Sequence, residues 1–266
     1  MKTLRHAGAM QRLALRWRRE GRSVAFVPTM GALHRGHLSL VTRARREAEI
    51  VVVSVYVNPT QFDRTDDLRG YPRTLPADRK ACAAAGVEVV FAPANLYAED
   101  HSTWVEETEL SQGRCGATRP GHFRGVTTIV LKLVQLVQPE RMYMGWKDAQ
   151  QLEILRRMLR DLNVPTRVIG CPIVRDADGL ALSSRNRHLS PAQRAQALAL
   201  PRGLLEATGK ARPAAWLRRH LARQPGLRVD YVEVAQGRLA AAVWVGSTRL
   251  IDNVPLPRVQ RKGRKA

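Results

Sequence analysis

Apolar residues in the first two thirds of the chain follow two patterns that alternate along the sequence. Short continuous runs, rich in Val and Ile, are typical of strands covered on both faces. Longer stretches with apolar residues three or four positions apart are typical of helices that bury one side. The runs predict strands over residues 24–28, 50–57, 87–91, 141–145 and 166–170. The spaced stretches predict helices over 37–49, 75–85, 126–138 and 148–162. This alternation indicates a parallel sheet with right-handed crossovers.

A different pattern begins near residue 171. Helices are predicted over 191–208 and 214–223, and short strands over 229–234, 239–245 and 249–251. We therefore predict an α/β fold with two domains. A Rossmann-like parallel-sheet domain covers residues 1–173, and a smaller α+β domain with a short antiparallel sheet covers 174–266. The first 20 residues are rich in Arg and lack an apolar signal core, so we expect a basic surface helix there.

Positive charge is the most unusual feature of the composition. Lys and Arg total 44 in 266 residues and Asp and Glu total 23, which gives a formal net charge of +21. Such charge supplies non-specific affinity for nucleic acid. The arginines are spread along the chain, however, without an RNP-type aromatic motif, a zinc finger or a helix-turn-helix pattern. We therefore expect a basic surface in a protein with anionic substrates, and no specific nucleic-acid partner. The basic tail, residues 258–266, is interpreted as a frayed, solvated end.

The rest of the composition excludes several classes of protein. Hydrophobic residues make up 44% of the chain, which is ordinary for a globular protein and excludes a disordered or collagen-like chain. No apolar run approaches the roughly 20 residues of a membrane-spanning helix, so no membrane partner is expected. The cysteines, Cys82, Cys115 and Cys171, form no CxxC pair, which argues against a disulfide framework or a structural zinc site. A cytoplasmic location is the simplest expectation.

The strongest local motif is His34-Arg-Gly-His37, which separates the first strand from its helix. The carboxyl edge of a parallel sheet is where α/β folds bind ligands. The first amides of a helix at that edge can bind phosphate, and two imidazoles can stabilise charge at a phosphorus atom. A metal-binding pair or two surface histidines are the alternatives, because the motif alone is loose. Its position after an apolar strand and a Gly turn favours nucleotide binding.

Six ordered motifs resemble a known family. The histidine motif resembles the HxGH motif of the nucleotidylyltransferase superfamily. Together the motifs resemble the pantothenate synthetases, or pantoate–β-alanine ligases, from about residue 20 to 190, with a further match at 248–253. The six are Val27–His37, Val57–Phe62, Tyr71–Thr74, Arg119–Val126, Gly145–Gln151 and Asp178–Asn186.

The resemblance implies an ATP-dependent condensation of (R)-pantoate with β-alanine through pantoyl adenylate, giving pantothenate, AMP and pyrophosphate. It implies that pantoate binds Gln61 and Gln151, and that β-alanine binds Gln61. His34, His37, Lys147 and Arg185 would counter negative charge in catalysis. ATP would be a substrate carried with Mg²⁺, without a tightly bound cofactor or a protein metal site, and the protein would be a homodimer. The implied ATP site consists of Met30, Gly31, Ala32, Leu33, His34, Arg35, Gly36, His37, Gly145, Trp146, Lys147, Asp148, Val174, Leu182, Ser183, Ser184 and Arg185.

Several of these residues also have a physical interpretation of their own. Lys147 follows a strand and can neutralise phosphate charge, whereas Asp148 can bind ribose or simply cap a helix. Residues 183–185 can supply two hydroxyls and a guanidinium to a triphosphate and act as a lid over it. The alternative is that they form a plain surface loop. The uncharged amide of Gln61 can bind a hydroxyl and a carboxylate of a small acid, or can instead bond to its own backbone. Gln151 lies one helical turn after Lys147, and its alternative is a solvated helix residue. Residues 113–125 form a Gly- and Arg-rich loop whose candidate substrate-loop cations are Arg119, His122 and Arg124.

Two positions depart from the family pattern. Arg35 stands where Glu is common, and Trp146 stands where an acidic residue is common. The loss of these acids puts fine ATP placement and metal affinity in question. Two other functions stay open at this point: another nucleotidylyltransferase, which would leave the nucleotide on its product, and a binding protein without catalysis.

Overall fold

The computed structural model describes residues 1–257 and divides into two compact units. The first unit is Met1–Val174 and the second begins at Arg175. The boundary predicted from the sequence lies one residue earlier, after residue 173. The interpretation of residues 258–266 as a frayed end lies outside the described residues. Within residues 1–257, no helix combines the length and the apolar composition needed to cross a membrane.

The first unit is built on a six-stranded sheet whose neighbouring strands are all parallel, in the order β1-β4-β3-β2-β5-β6. Its strands are β1 (Lys2–Leu4), β2 (Val24–Thr29), β3 (Ile50–Val55), β4 (Val89–Phe91), β5 (Arg141–Gly145) and β6 (Arg167–Cys171). Its helices are α1 (Ala7–Arg19), α2 (Arg35–Glu47), α3 (Thr65–Arg69), α4 (Leu75–Ala84), α5 (Cys115–Thr118), α6 (His122–Val137) and α7 (Ala149–Asp161), with 3-10 turns at Pro59–Gln61 and Trp146–Asp148.

The second unit packs helices against a three-stranded antiparallel sheet in the order β7-β8-β9. The helices are α8 (Pro191–Ala197), α9 (Ala199–Ala207) and α10 (Pro213–Ala222), and a 3-10 turn covers Ser184–His188. The strands are β7 (Leu227–Ala235), β8 (Arg238–Val245) and β9 (Thr248–Pro255). The predicted fold class, a parallel-sheet domain followed by a small α+β domain with an antiparallel sheet, is confirmed.

Burial explains why the pattern predicted these elements. The first five residues of β3 are buried, as its continuous apolar run requires. Helix α1 forms in the basic N-terminal segment, and its buried residues recur at helical spacing as Met10, Ala14 and Trp17. Its four arginines, Arg12, Arg16, Arg18 and Arg19, are all exposed.

The structure corrects the prediction at several places. Strand β1 was missed because three residues are too few to show a period. Residues 113–125 were predicted to be a loop, but α5 lies within them and α6 begins at His122. The single helix predicted over 191–208 is two helices, because Pro201 has no N–H to donate to the carbonyl of Ala197.

Candidate active site

The candidate site lies at the carboxyl edge of the first unit's sheet, where β2 and β5 are neighbours. Strands β3 and β4, which follow β2 in the chain, lie on one side of it, whereas the later strands β5 and β6 lie on the other side, so the direction of strand order reverses between β2 and β5. Open α/β sheets bind ligands at such a reversal. The predicted segments 30–37 and 145–148 follow β2 and β5 respectively, so both begin at this point of the sheet.

His34 and His37 begin helix α2 and cap each other. His34 is the N-cap residue, and its Nδ1 accepts a hydrogen bond from the amide of Gly36 at 3.1 Å. Nδ1 of His37 accepts one from the amide of His34 at 3.3 Å. The two ring centroids are 4.0 Å apart, and the ring planes are inclined by 35°. The motif is therefore a reciprocal capping box in which imidazoles replace the usual hydroxyl and carboxylate.

This cap determines which ring nitrogens carry hydrogen. A nitrogen that accepts from an amide carries none, so the hydrogen of each neutral ring is assigned to Nε2. The amides of His37 and Leu38 donate to the carbonyl of His34, at 2.8 and 3.1 Å. The sequence suggested that the first amides of this helix would bind phosphate. The amides of Gly36, His37 and Leu38 are occupied within the cap, and the Nε2–H groups are further hydrogen-bond donors that the motif provides.

His37 is neutral at physiological pH. Its pKa is lowered to about 3, chiefly because burial disfavours the charged ring and because His34 lies beside it. Lys147 lowers this pKa further, whereas Asp148 raises it, so both side chains are close enough to act on the ring. Lys147 Nζ lies 3.5 Å from Asp148 Oδ1. We predicted that His37 would counter negative charge, and a neutral ring does this by donating a hydrogen bond.

Gln61 closes the 3-10 turn that follows β3, and its side-chain amide is held at both ends. Its Oε1 accepts a hydrogen bond from Nδ2 of Asn58 at 3.1 Å, and its Nε2 lies 3.2 Å from Sδ of Met30. Asn58 is itself buried, and its Oδ1 accepts from the hydroxyl of Tyr97 at 2.9 Å. Asn58 therefore turns its amide nitrogen toward Gln61 and fixes the orientation of that side chain.

Arg119 and His122 hold the backbone of the same residue. The carbonyl of Gln61 accepts from Nδ1 of His122 at 2.7 Å and from Arg119 at 3.2 Å. Because arginine only donates, Nε2 of His122 accepts from Arg119 at 3.1 Å, and the ring is neutral. Burial and the neighbouring guanidinium lower the pKa of His122 to about 4. His122 is therefore not the substrate-loop cation that the sequence suggested, and both residues support the turn that carries Gln61.

The two glutamines at the start of α7 differ in their surroundings. Gln151 is half-buried in the first turn of α7, next to the segment that carries Lys147. Gln150 is buried and binds the preceding loop: its Oε1 accepts from the amide of Cys115 at 2.9 Å. Its Nε2 donates to the carbonyls of Leu110 and Gly113. Of these two glutamines, Gln151 is therefore the one that keeps its amide available near the site.

The remaining predicted site residues lie at and beyond the boundary between the units. Val174 is the last residue of the first unit. Ser183 caps the 3-10 turn Ser184–His188, because its hydroxyl accepts a hydrogen bond from the amide of Arg185 at 3.3 Å. Leu182 precedes this cap and is half-buried. The geometry brings Met30–His37, Gln61 and Gly145–Gln151 together in the first unit, and the contribution of residues 182–185 to the same site stays a prediction.

Comparison with known proteins identifies the family. The family model described as pantoate-beta-alanine ligase matches residues 2–255. The chain belongs to the pantoate–β-alanine ligase family. It is 48% identical over 280 residues to a pantothenate synthetase of Moorella thermoacetica, with 96% of this chain and 99% of the relative covered. It is 52% identical over 262 residues to a bifunctional pantoate ligase/cytidylate kinase of Thermosynechococcus vestitus. That match covers 89% of this chain but only 51% of the longer relative.

Two solved pantoate–β-alanine ligase structures match over nearly the whole chain. Pantothenate synthetase from Thermus thermophilus superposes with a TM-score of 0.90 and 43% identity, covering 97% of this chain and 100% of that one. A Francisella tularensis pantoate–β-alanine ligase, in complex with beta-gamma ATP and β-alanine, gives a TM-score of 0.85 and 32% identity, covering 96% and 97%. The family, fold and enzyme class predicted from the ordered motifs are confirmed.

The two departures from the pantoate–β-alanine ligase pattern have different surroundings. The Arg35 side chain is exposed at the first position of α2. The Trp146 indole lies against β6, where a Cβ added to Gly170 would approach its Nε1 to 2.5 Å. The guanidinium of Arg156 lies over the indole, 5.3 Å from its centroid. Trp146 is therefore packed into the first unit, and glycine at position 170 makes room for it.

Two neutral histidines should make this fold sensitive to acid. The folded-state pKa is about 3 for His37 and about 4 for His122, below the ordinary value of 6.5. At a pH between the folded-state pKa and 6.5, the unfolded chain binds more protons than the folded chain. The free energy of unfolding should therefore fall as pH decreases from 7 to 5. The expected loss is up to about 2 kcal/mol for each histidine, and urea unfolding at both pH values measures it. The variant His122→Asn keeps a donor for Gln61 and should lose less stability over this range, and an unchanged loss would contradict the neutral state of His122.

Proposed function

We propose that this chain joins (R)-pantoate to β-alanine with ATP, through pantoyl adenylate, and releases pyrophosphate, AMP and pantothenate. The observation that carries the proposal is the pair of mutually capped imidazoles beside Lys147, at the reversal between β2 and β5. Family membership supports the same reaction. The complex of the Francisella tularensis relative supports ATP and β-alanine as substrates.

The first half-reaction transfers AMP to pantoate. A carboxylate oxygen of pantoate attacks the α-phosphorus of ATP, the new O–P bond forms, and the bond to pyrophosphate breaks. Negative charge grows on the phosphate oxygens and on the leaving group. The Nε2–H groups of His34 and His37 would donate to those oxygens, and the ammonium of Lys147 would balance the departing charge. His37 serves as a donor in this scheme, since its Nδ1 is already occupied by the cap.

The second half-reaction forms the amide. The ammonium of β-alanine loses a proton to solvent, and the free amine attacks the acyl carbon of pantoyl adenylate. The C–N bond forms, the bond to AMP breaks, and the nitrogen releases a second proton to solvent to give the amide. Gln61 and Gln151 would hold pantoate through both steps, with Gln61 also near β-alanine. An uncharged amide suits this task, because it donates and accepts without adding charge beside the adenylate. Holding amine and acyl carbon together contributes to the rate through proximity.

The ATP site would be formed by the loop after β2, the turn after β5 and the loop of the second unit. Residues 182–185 would act as a lid that excludes water from the reactive mixed anhydride. In this role Ser183 and Ser184 supply hydroxyls and Arg185 a guanidinium to the triphosphate. The proposed domain functions are therefore ATP and pantoate binding in residues 1–173 and closure in residues 174–266.

Mg²⁺ fits this site as a companion of the triphosphate. No cluster of three or more metal-ligating His, Cys, Asp or Glu side chains occurs within residues 1–257. Mg²⁺ on a nucleotide needs only one or two carboxylates besides phosphate and water. Asp148 offers one, because its side chain is 46% exposed beside Lys147. Asp148 would thus hold an ion that arrives with ATP, and the ion would supply charge neutralisation at the phosphates.

The products of the reaction test the proposal. Purified protein with ATP, pantoate and β-alanine should form AMP, pyrophosphate and pantothenate in equal amounts. Without β-alanine only the first half-reaction can occur. Because that step is reversible and uses pantoate, exchange of labelled pyrophosphate into ATP should require pantoate. A nucleotide that stays on the final product would instead indicate a nucleotidylyltransferase. Salt-sensitive RNA binding without exchange would indicate a binding protein.

The setting of the enzyme is part of the same proposal. We infer from the family resemblance that the chain forms a homodimer and works in the cytoplasm, where pantoate, β-alanine and ATP are its small-molecule partners.

A further inference from the structure

The loop that leads into the two histidines has an unusual backbone. Gly31 and Ala32 are consecutive residues with positive φ, 86° and 51°. Glycine adopts this left-handed region readily, but in alanine the Cβ approaches the following carbonyl oxygen. The loop therefore needs outside contacts to keep Ala32 in this conformation. These contacts are hydrogen bonds that the loop's amide N–H groups donate.

Asp78 of helix α4 supplies them. Its Oδ2 accepts a hydrogen bond from the amide of Ala32 at 3.1 Å, and its Oδ1 accepts one from the amide of Leu33 at 2.8 Å. Asp78 is only 2% exposed, and the Thr74 hydroxyl also donates to Oδ2, at 3.1 Å. A Cβ added to Gly31 would approach Oδ2 to 3.0 Å, so the loop is in close contact with the carboxylate.

We propose that Asp78 is a positioning residue for the His34–His37 pair, acting through the backbone of residues 31–33. Leu33 immediately precedes His34, and the amide of His34 is the donor that orients the His37 ring. When the carboxylate fixes the amide of Leu33, it also fixes the start of the capping box. The hydrogen bonds that Asp78 accepts come from this loop and from Thr74, so we propose that its effect on the imidazoles passes through the loop.

The charge of Asp78 suits this role rather than a general stabilising one. The described residues include no Lys or Arg in an ion pair with Asp78, although the chain carries a net charge of +21. Its charge is balanced by two amides and one hydroxyl. A carboxylate accepts both amides at once, whereas asparagine would turn its NH₂ group toward one of them. The variant Asp78→Asn therefore removes one loop contact with almost no change in volume.

Histidine side-chain NMR tests this directly on the full chain. In ¹⁵N-labelled protein, long-range ¹H–¹⁵N spectra should show His34 and His37 as single tautomers with hydrogen on Nε2. In Asp78→Asn these signals should move toward the averaged shifts of interconverting tautomers. The variants His34→Gln and His37→Gln assign the signals. This measurement needs no substrate, so it tests Asp78 even if the proposed reaction is wrong.

Kinetics give the second readout, which rests on the proposed function. Asp78→Asn should lower kcat/KM for ATP at least about 10-fold, since small displacements of catalytic groups have large effects. Adding Ala32→Gly to that variant should raise kcat/KM for ATP about 3-fold again, because glycine adopts the left-handed backbone without help from the carboxylate. Circular dichroism establishes that each variant is folded.

Glu88→Gln is the matched control. Glu88 also accepts a backbone amide, that of Val51 at 2.7 Å, but at the amino edge of the same sheet. The variant Glu88→Gln should leave the NMR signals of His34 and His37 and the kcat/KM for ATP unchanged. Wild-type histidine signals in Asp78→Asn, or the same spectral change in Glu88→Gln, would overturn the proposal.

Discussion

Replacing His37 with alanine should reduce pantoate-dependent release of pyrophosphate at least about 100-fold while the protein stays folded. The loss of one donor aimed at developing negative charge typically costs two to three orders of magnitude in rate. The ring also accepts the amide of His34, so its removal should cost the stability of one cap, about 1 kcal/mol. A loss of rate much larger than the loss of stability therefore identifies the chemical role of the ring.

Two further substitutions separate the two nitrogens of His37. Asparagine can place an oxygen near the position of Nδ1 and so keep the cap, but it has no donor at the position of Nε2. Glutamine can place a donor near Nε2. If Nε2–H is the active group, His37→Gln should retain more activity than His37→Asn. The reverse order would show that the ring acts through the cap alone. His6→Ala, at an exposed histidine before α1, should leave the rate unchanged.

The sheet of the first unit was predictable because each of its longer strands is a continuous apolar run. Residues 50–57, for example, could only be a strand covered on both faces, and β3 is found there. Strand β1 could not be predicted in the same way, because three residues carry no period. The division of residues 191–208 depended on Pro201, and the apolar spacing alone did not show it.

The site was predictable where the motif itself determines the geometry. The spacing of His34 and His37 places them in one turn, and their position after β2 places them at a sheet edge. Their reciprocal cap was not foreseen, since serine or aspartate is the usual N-cap residue. The lowered pKa of His37 depends chiefly on burial and then on the neighbouring His34 ring, and the extent of burial follows from the fold and not from the motif.

Supporting residues were harder to find from the sequence. Asp78 had one signal, a charged residue at helical spacing between Leu75 and Cys82, on the side of α4 that faces inward. Asn58 had a weaker one, its position directly after an apolar strand. His122 lies in the Gly- and Arg-rich stretch 113–125, yet its ring is neutral because its Nε2 accepts a hydrogen bond from Arg119. Such roles follow from partners that only the fold brings together.

The second large effect is expected at Lys147. The variant Lys147→Met keeps most of the volume of this side chain, which is 19% exposed, but removes the ammonium, which acts on His37. The rate of pantoate-dependent pyrophosphate release should fall by about two to three orders of magnitude, as for the loss of other groups that bind a transferring phosphoryl group. Lys147→Arg keeps the charge and should retain more activity than Lys147→Met. Lys210→Met, at an ion pair within α9 and its C-terminal turn, should have no effect.

The same substitution has a second consequence that needs no substrate. Because the ammonium of Lys147 lowers the pKa of His37, Lys147→Met should raise that pKa. The carboxylate of Asp148 has the opposite effect, so Asp148→Asn should lower it further. Titration of the His37 ring by NMR measures both shifts. Opposite signs would show that Lys147 and Asp148 act on the same imidazole, as a shared phosphate site requires. If neither variant moved the titration, Lys147 would be too distant from His37 to serve the same phosphate.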